Sequence, residues 1–307
     1  MSFEFIREGR VWLEYPTNTF YLLHTMKDVT FSQTFQQEGV AKRTLHSPNN
    51  LFEGSVINRA NPADFSFTLY VLDEVSLYQH KPLDLLLDYN GNSLNTFNLY
   101  FVYQNKSPDV YYKIENAVFT SGTFNIPRAG IMTVPLSGQG TKLTRTEGTF
   151  NPSIVGYDTT PSFAVSKEFI VSIQGSNLDN IQGASLELQN NISWTENRTI
   201  QDTQAVTGAS NTVYPSSFTL EGRTLGGSIT QYIDNTNTES INNLLTWSEN
   251  ASVRIRAGFS AADLQLDINM PNACSFTNRP AFGEVFSQNY DFRLMSNPAN
   301  LNTYFTY

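Results

Sequence analysis

Three histidines (His24, His46 and His80) and one cysteine (Cys274) are the side chains best suited to acid–base, nucleophilic or metal chemistry. Their spacing supports none of these. No HExxH pattern, GxSxG elbow or Cys–His pairing is present. A lone cysteine in an apolar run reads as a small buried filler, and it excludes a disulfide framework or a Cys-based zinc site within one chain. The neighbours Asp73 and Glu74 could serve a glycosidase only if they faced one another, and adjacent strand residues point to opposite faces. The SGQG run at Ser137–Gly140 is a fragment of a phosphate cradle in the wrong place, at a strand start. It reads instead as two glycines easing a bulge or tight bend. The chain is therefore predicted not to be an enzyme and to need no cofactor or metal. What remains is a binding chemistry: Lys42, Arg43, His46 and Arg59 in a polar segment, Gln36 to Asp64. A segment of that length in a compact domain is either an irregular surface loop or an arm that orders against another subunit.

The elements that must position these groups are strands. The chain has 307 residues, 15% charged and 13% aromatic, with a formal net charge of −9. Residues 1–150 hold 12 basic and 14 acidic side chains, and residues 151–307 hold 7 and 14. An acidic chain gains nothing from counterion release on DNA, which argues against a nucleic-acid-binding protein. The N-terminal MSFEFIREGRVWLEY alternates and carries charge, so no signal peptide is expected, and no apolar run is long enough to span a membrane. Alternation marks Val11, Leu13 and Tyr15 as one strand face, with Arg10, Trp12 and Glu14 as the other. Phe65–Val71 and Phe97–Tyr103 alternate in the same way. One short helix is predicted at KPLDLLLDYN, with Pro82 in its first turn and Leu83, Leu86 and Leu87 as its stripe.

The longest strand pair spans Val110 to Glu147. A degenerate copy occurs at Ala262 to Leu294, preceded by a second helical stripe at Ile241, Leu244 and Leu245. The order of elements thus occurs twice. The expected domains are 1–148 and 163–307, joined by a Gly/Pro/Thr/Ser linker at 149–162. Period-2 patterning of this kind calls for two sheets per domain, each burying one face.

The run YKIENAVFTSGTFNIPRAGIMTVPLSGQGTKLTR (Tyr112 to Arg145), the NPADFSFTLYVL strand (Asn61 to Leu72) and the NNISW…TLGGSITQYIDN stretch (Asn190 to Asn235) resemble bacteriophage major tail tube proteins. The likeness is to the kind with two fused tube domains found in long-tailed, non-contractile phages, and it covers almost the whole chain. It implies a mainly β fold of two tandem antiparallel β-sandwich tube domains, each flanked by a short α-helix. Three chains would close into a β-barrel ring with pseudo-sixfold symmetry. Rings would stack through the Lys42, Arg43, His46 and Arg59 arm and form a conduit for genome ejection. The implied partners are further copies of the chain, a tape-measure protein, and tail terminator and distal tail proteins. Double-stranded DNA would cross the lumen without specific binding. Assembly is expected in the host bacterial cytoplasm, with the mature protein in the virion. Lumen- or neighbour-facing polar candidates are Lys113, Glu115, Gln265, Asp267 and Asn269, and the lumen is expected to be acidic to neutral. Two other readings are an extracellular adhesin or carbohydrate-binding β-sandwich, and the inner-tube subunit of a contractile injection machine.

Overall fold

The computed structural model describes residues 9–26, 28–40, 54–71, 81–90, 93–103, 109–152, 162–195, 213–234, 247–261, 263–281, 286–295 and 301–306. The fold is mainly β. The first half contains β1 (Gly9–Glu14), β2 (Phe20–Leu23), β3 (Thr30–Ser32), β4 (Phe35–Val40), β5 (Gly54–Ala60), β6 (Ala63–Tyr70), helix α1 (Lys81–Leu87), β7 (Tyr89–Asn90), β8 (Ser93–Leu94), β9 (Phe97–Tyr103), β10 (Val110–Pro127), β11 (Thr133–Gly140) and β12 (Lys142–Glu147). The second half contains β13 (Glu168–Ile173), β14 (Ser176–Leu178), β15 (Ile181–Thr195), β16 (Ser217–Tyr232), β17 (Trp247–Ser260), β18 (Asp263–Ala281), β19 (Ser287–Leu294) and β20 (Phe305–Thr306).

The long strand β10 belongs to two sheets. Its N-terminal part lies between β9 and β12, and its C-terminal part lies between β11 and β15. The change of sheet occurs where the β9 register slips between Ile114 and Ala117, with Asn116 at φ 47°. An extra residue in the left-handed region bends a strand and sharpens its twist, which is what this crossing needs. The SGQG glycines sit beside that bend. A Cβ on Gly138 would lie 2.3 Å from the Val118 carbonyl oxygen, and one on Gly140 would lie 2.9 Å from the Glu115 carbonyl oxygen. Close main-chain approach therefore accounts for them, although they end β11 and do not start a strand as expected.

The pairing scheme repeats in the second half. There, β18 runs between β17 and β20, then continues along β19, while β13 flanks β17 and β16 flanks β19. The two halves meet in one ladder, Ser121↔Gln189 through Pro127↔Gly183, so β3, β6, β11, β10, β15, β16, β19 and β18 form a single run of strands. No sheet closes on itself among the described residues. In the first half, Phe31 of β3 stacks on Phe101 of β9 with centroids 4.5 Å apart, so the two sheets face each other over one core.

Several expectations change. The described residues at the two ends of the arm segment are strand rather than irregular loop: β4 and β5 pair from Phe35↔Ala60 to Val40↔Gly54, and residues 41–53 lie outside the described residues. The polar sequence of these strands lacks the apolar alternation that marks a half-buried strand, so periodicity could not reveal them. The run VTFSQTF (Val29 to Phe35), whose sequence suggests one strand, breaks between β3 and β4. Helix α1 forms over Lys81–Leu87, shorter than predicted because Tyr89–Asn90 are strand β7, and it also buries Leu85, so its covered face is wider than the expected stripe. The second stripe, at 241–245, lies outside the described residues, as do residues 153–161 of the linker.

The side of β1 expected to meet solvent is covered. Trp12 is 2% exposed, under Phe150 from the linker segment, with Phe20, Tyr100 and Tyr111 around it. Glu14 is buried there and accepts hydrogen bonds from the Asn18 amide, Asn98 Nδ2 and the Tyr100 hydroxyl at 2.9, 2.8 and 2.7 Å. Burial acts to raise its pKa. The three hydrogen bonds, with the Lys113 charge, outweigh burial and hold the carboxyl below the usual range. A depressed carboxylate contributes stability above its unfolded pKa of about 4.3 and loses it as pH falls through the folded value. Glu14→Gln, which turns amide protons toward existing donors, is expected to cost about 1–3 kcal/mol at pH 7. Chemical denaturation should find that difference shrinking below about pH 4. A difference constant from pH 7 to pH 3 would contradict the assignment.

Candidate functional site: the polar face of the central sheet

Alternation along the central strands sorts their side chains into two sets. Phe65, Phe67, Val134, Leu136, Phe124, Ile126, Leu186, Leu188, Ile229 and Phe292 face the core. The residues between them face away, and these are almost all small and polar: Ser66 on β6, Ser137 on β11, Ser121, Thr123 and Asn125 on β10, Ser185 on β15, Ser228 and Thr230 on β16, and Asn289 on β19. Register places them side by side across the β10–β15 ladder, so the polar face passes from one half to the other without a break.

The face binds much of its own polarity. Ser121 and Ser137 hydroxyls lie 2.7 Å apart, and those of Ser185 and Ser228 lie 3.0 Å apart. Its charged groups among the described residues include four carboxylates, Asp28, Asp64, Glu187 and Asp291, and two guanidiniums, Arg279 and Arg293; Asp28 accepts from the Thr68 hydroxyl at 2.6 Å. Gln139 Nε2 donates to Asp64 at 2.9 Å, Gln189 Nε2 donates to Glu187 at 2.6 Å, and Arg279 pairs with Asp291. The face is thus close to neutral, and the chain's charge of −9 is carried mainly elsewhere. The face is also indented. A shallow groove of about 490 Å³ runs over Gly226 between Glu187 and Arg293, and another of about 330 Å³ lies between Asn125 and Thr230.

The five polar candidates named from sequence lie elsewhere, on the N-terminal parts of β10 and β18. Lys113 and Glu115 form an ion pair at 3.4 Å, and the Lys113 ammonium sits 5.7 Å from the Tyr100 ring centre. Asp267 holds Arg254 through two contacts, at 3.0 and 2.5 Å. Asn269 is exposed, whereas Gln265 is buried and accepts the Val165 amide proton at 3.0 Å. Of the arm residues, Arg59 lies on β5 and donates from Nε to Gln36 Oε1 at 2.5 Å, across the β4–β5 ladder. Lys42, Arg43 and His46 lie outside the described residues.

Among the described residues, no three His, Cys, Asp or Glu side chains come together. Cys274 is fully buried beside Met270, and burial pushes its thiol up to about 11, so it stays protonated at neutral pH. This candidate surface is present in the sequence as the minor phase of the strands, the Ser and Thr of FSFTLY and GSITQY. Apolar alternation marks the core-facing phase and says nothing of its polar counterpart.

A membrane-crossing helix is not found among the described residues. No curated protein matches the chain. One family's sequence model does match, over residues 1–306, and it is described as the Bacteriophage Baseplate Tube Protein Family. That match spans both halves, the polar face and the arm alike, and so the chain belongs to the bacteriophage baseplate tube protein family, a structural component of tail-tube type in the phage virion.

Proposed function

We propose that three copies of this chain close into a ring whose bore is lined by the polar face, and that the ring is a section of the tail tube through which the genome leaves the particle. The observation that carries this reading is the continuity of the polar face through the β10–β15 ladder. That ladder is a working example of how one half joins the next. The run of strands ends at β3, and the β17 pairing on β18 stops at Thr277, short of the end of that strand. Edges of this kind pair readily with another chain unless something covers them. Joining β18 of one copy to β3 of the next would remove both edges, and a heterologous contact that closes gives a ring.

The two-domain major tail tube reading and the family's name differ in where the ring sits. The name favours the baseplate end of the tail over its full length, and it favours a tube component over a carbohydrate-binding protein. Stacking is assigned to the arms. Both the β4–β5 hairpin and the outer ends of β15 and β16 extend past the Gly140–Ala63 end of the sheet, where Phe35 meets Tyr214 with centroids 6.4 Å apart. Lys42, Arg43 and Arg59 would meet acidic groups of the adjacent ring. Further copies of the chain, a tape-measure protein, and terminator and distal tail proteins would be its neighbours, with assembly in the host cytoplasm.

Negative-stain microscopy of the purified chain tests the reading. Rings or short tubes of constant bore are expected, and charge reversal at Lys42, Arg43 and Arg59 should leave single rings. Monomers persisting at high concentration would sink the ring, and stacked tubes from the reversed variant would sink the role of the arm.

A further inference from the structure

The seam between the halves is crossed on its core side by one arginine. Arg223 of β16 follows the inward phase of Leu225 and Ile229. Its Nη2 donates to the carbonyl oxygens of Leu86 and Leu87, both at 2.9 Å. Its Nε donates to Asn190 Oδ1 at 2.7 Å, and Asn190 Nδ2 donates to the Phe119 carbonyl oxygen at 2.9 Å. These contacts tie β15 and β16 of the second half to α1 and β10 of the first. Leu86 and Leu87 end helix α1, so their carbonyl groups have no partner within the helix. The helix itself is seated on β10 at Gly122, where a Cβ would lie 2.4 Å from Leu86.

A ladder alone fixes register but leaves curvature soft, because neighbouring strands tolerate twists of about 10 to 35°. Contacts above the ladder must choose among those angles. We propose that Arg223 is a positioning residue that sets the curvature of the polar face, by latching the second half onto the end of helix α1. Hydrogen bonds from a guanidinium are stronger than neutral ones, and the half-buried guanidinium of Arg223 loses them in any looser arrangement. The consequence for assembly rests on the ring reading above. Each half of a three-chain ring turns the face by about 60°, and an error at each seam accumulates around the circuit.

Hydrogen exchange on the full chain tests the latch without requiring rings. Arg223→Met retains the apolar stem and removes the donors. Protection over residues 81–87, 121–127 and 183–189 is expected to fall about 10- to 100-fold, while the β1–β9 ladder keeps its protection. Unchanged protection at the seam, or an equal loss everywhere, would overturn the proposal. Should Arg223→Met fail to fold, Asn190→Ala removes one acceptor and should loosen the same three segments about 3- to 10-fold. No local change in that variant also overturns the latch. Arg223→Lys, still able to reach the helix carbonyls, should restore protection at 81–87. Microscopy of the same samples separates the two readings. Rings from the unmodified chain with unchanged seam exchange in Arg223→Met sink the latch alone. An unmodified chain that forms no rings sinks the ring, whatever the exchange shows.

Discussion

Phe119→Ala is expected to destabilise the chain by about 3–5 kcal/mol, seen as a drop in melting temperature of roughly 5–10 °C. Phe119 follows the bend in β10 and is 1% exposed. Its ring lies 4.6 Å from that of Phe97, 5.8 Å from that of Phe65 and 6.3 Å from that of Phe67, measured between centres. Those partners stand on β9 and β6, so one ring joins the two sheets at the point where β10 leaves one for the other. The cavity left by alanine would be walled by rigid rings on separate strands and could not collapse, which places the cost at the upper end of the usual range. The Phe119 carbonyl that serves Asn190 belongs to the main chain and survives the substitution, so the loss reports packing alone. Phe119→Leu, which fills most of the space, should lose less than half as much. A loss below about 1 kcal/mol for alanine would mean that the rings do not form a packed unit.

How far the sequence discloses this fold depends on whether a feature is local. The strands with one apolar phase, such as Phe65–Leu69 and Leu99–Phe101, are plain in the sequence, as is helix α1 from Pro82 and its leucines. The repeat of the long hairpin is visible too, and the pairing of β18 with β17 and β19 follows that of β10 with β9 and β11. Features made by distant segments are not disclosed. Trp12 and Glu14 stand in the polar phase of β1, and only the arrival of Phe150 covers them. Nothing in period-2 alternation says which strand lies beside which, so the β10–β15 ladder could not be inferred. Arg223 and Asn190 occupy the inward phase of their strands, where a charge or amide looks misplaced until helix α1 supplies its carbonyl groups and β10 its own. A polar residue in an apolar phase was the one local sign of the latch. The two strands of the arm segment escape the sequence for the opposite reason, since FQQEGV and GSVINRA carry no regular apolar alternation.

The reading of the polar face as a DNA conduit makes its largest prediction through charge. Asn125→Lys combined with Thr224→Lys should leave folding and ring formation intact and turn a passive bore into one that holds DNA. Both positions are partly exposed on the polar face, and neither has an acidic side chain opposite it in the ladder: Asn125 faces Thr133 and Ser185, and Thr224 faces Gln189. The native face offers little to a phosphate, because its carboxylates repel one, Arg279 is paired with Asp291, and its hydroxyls are largely engaged by each other. DNA sliding past it would release few counterions and gain little by stopping. Two lysines per chain would place about six in each three-chain ring, and each phosphate contact adds about 0.9 to the slope of log affinity against log salt. Retention of duplex DNA by the assembled variant should therefore rise by about 10³-fold or more at 50 mM salt and vanish steeply above 200 mM. Particles carrying it should stall in ejection at low salt. Lysines at Ser176 and Thr146, on β14 and β12 away from this face, serve as the control and should leave ejection unchanged. Equal retention by both double variants would show that the polar face is not the surface DNA meets. Unchanged ejection in the Asn125→Lys, Thr224→Lys particle would count against the conduit itself.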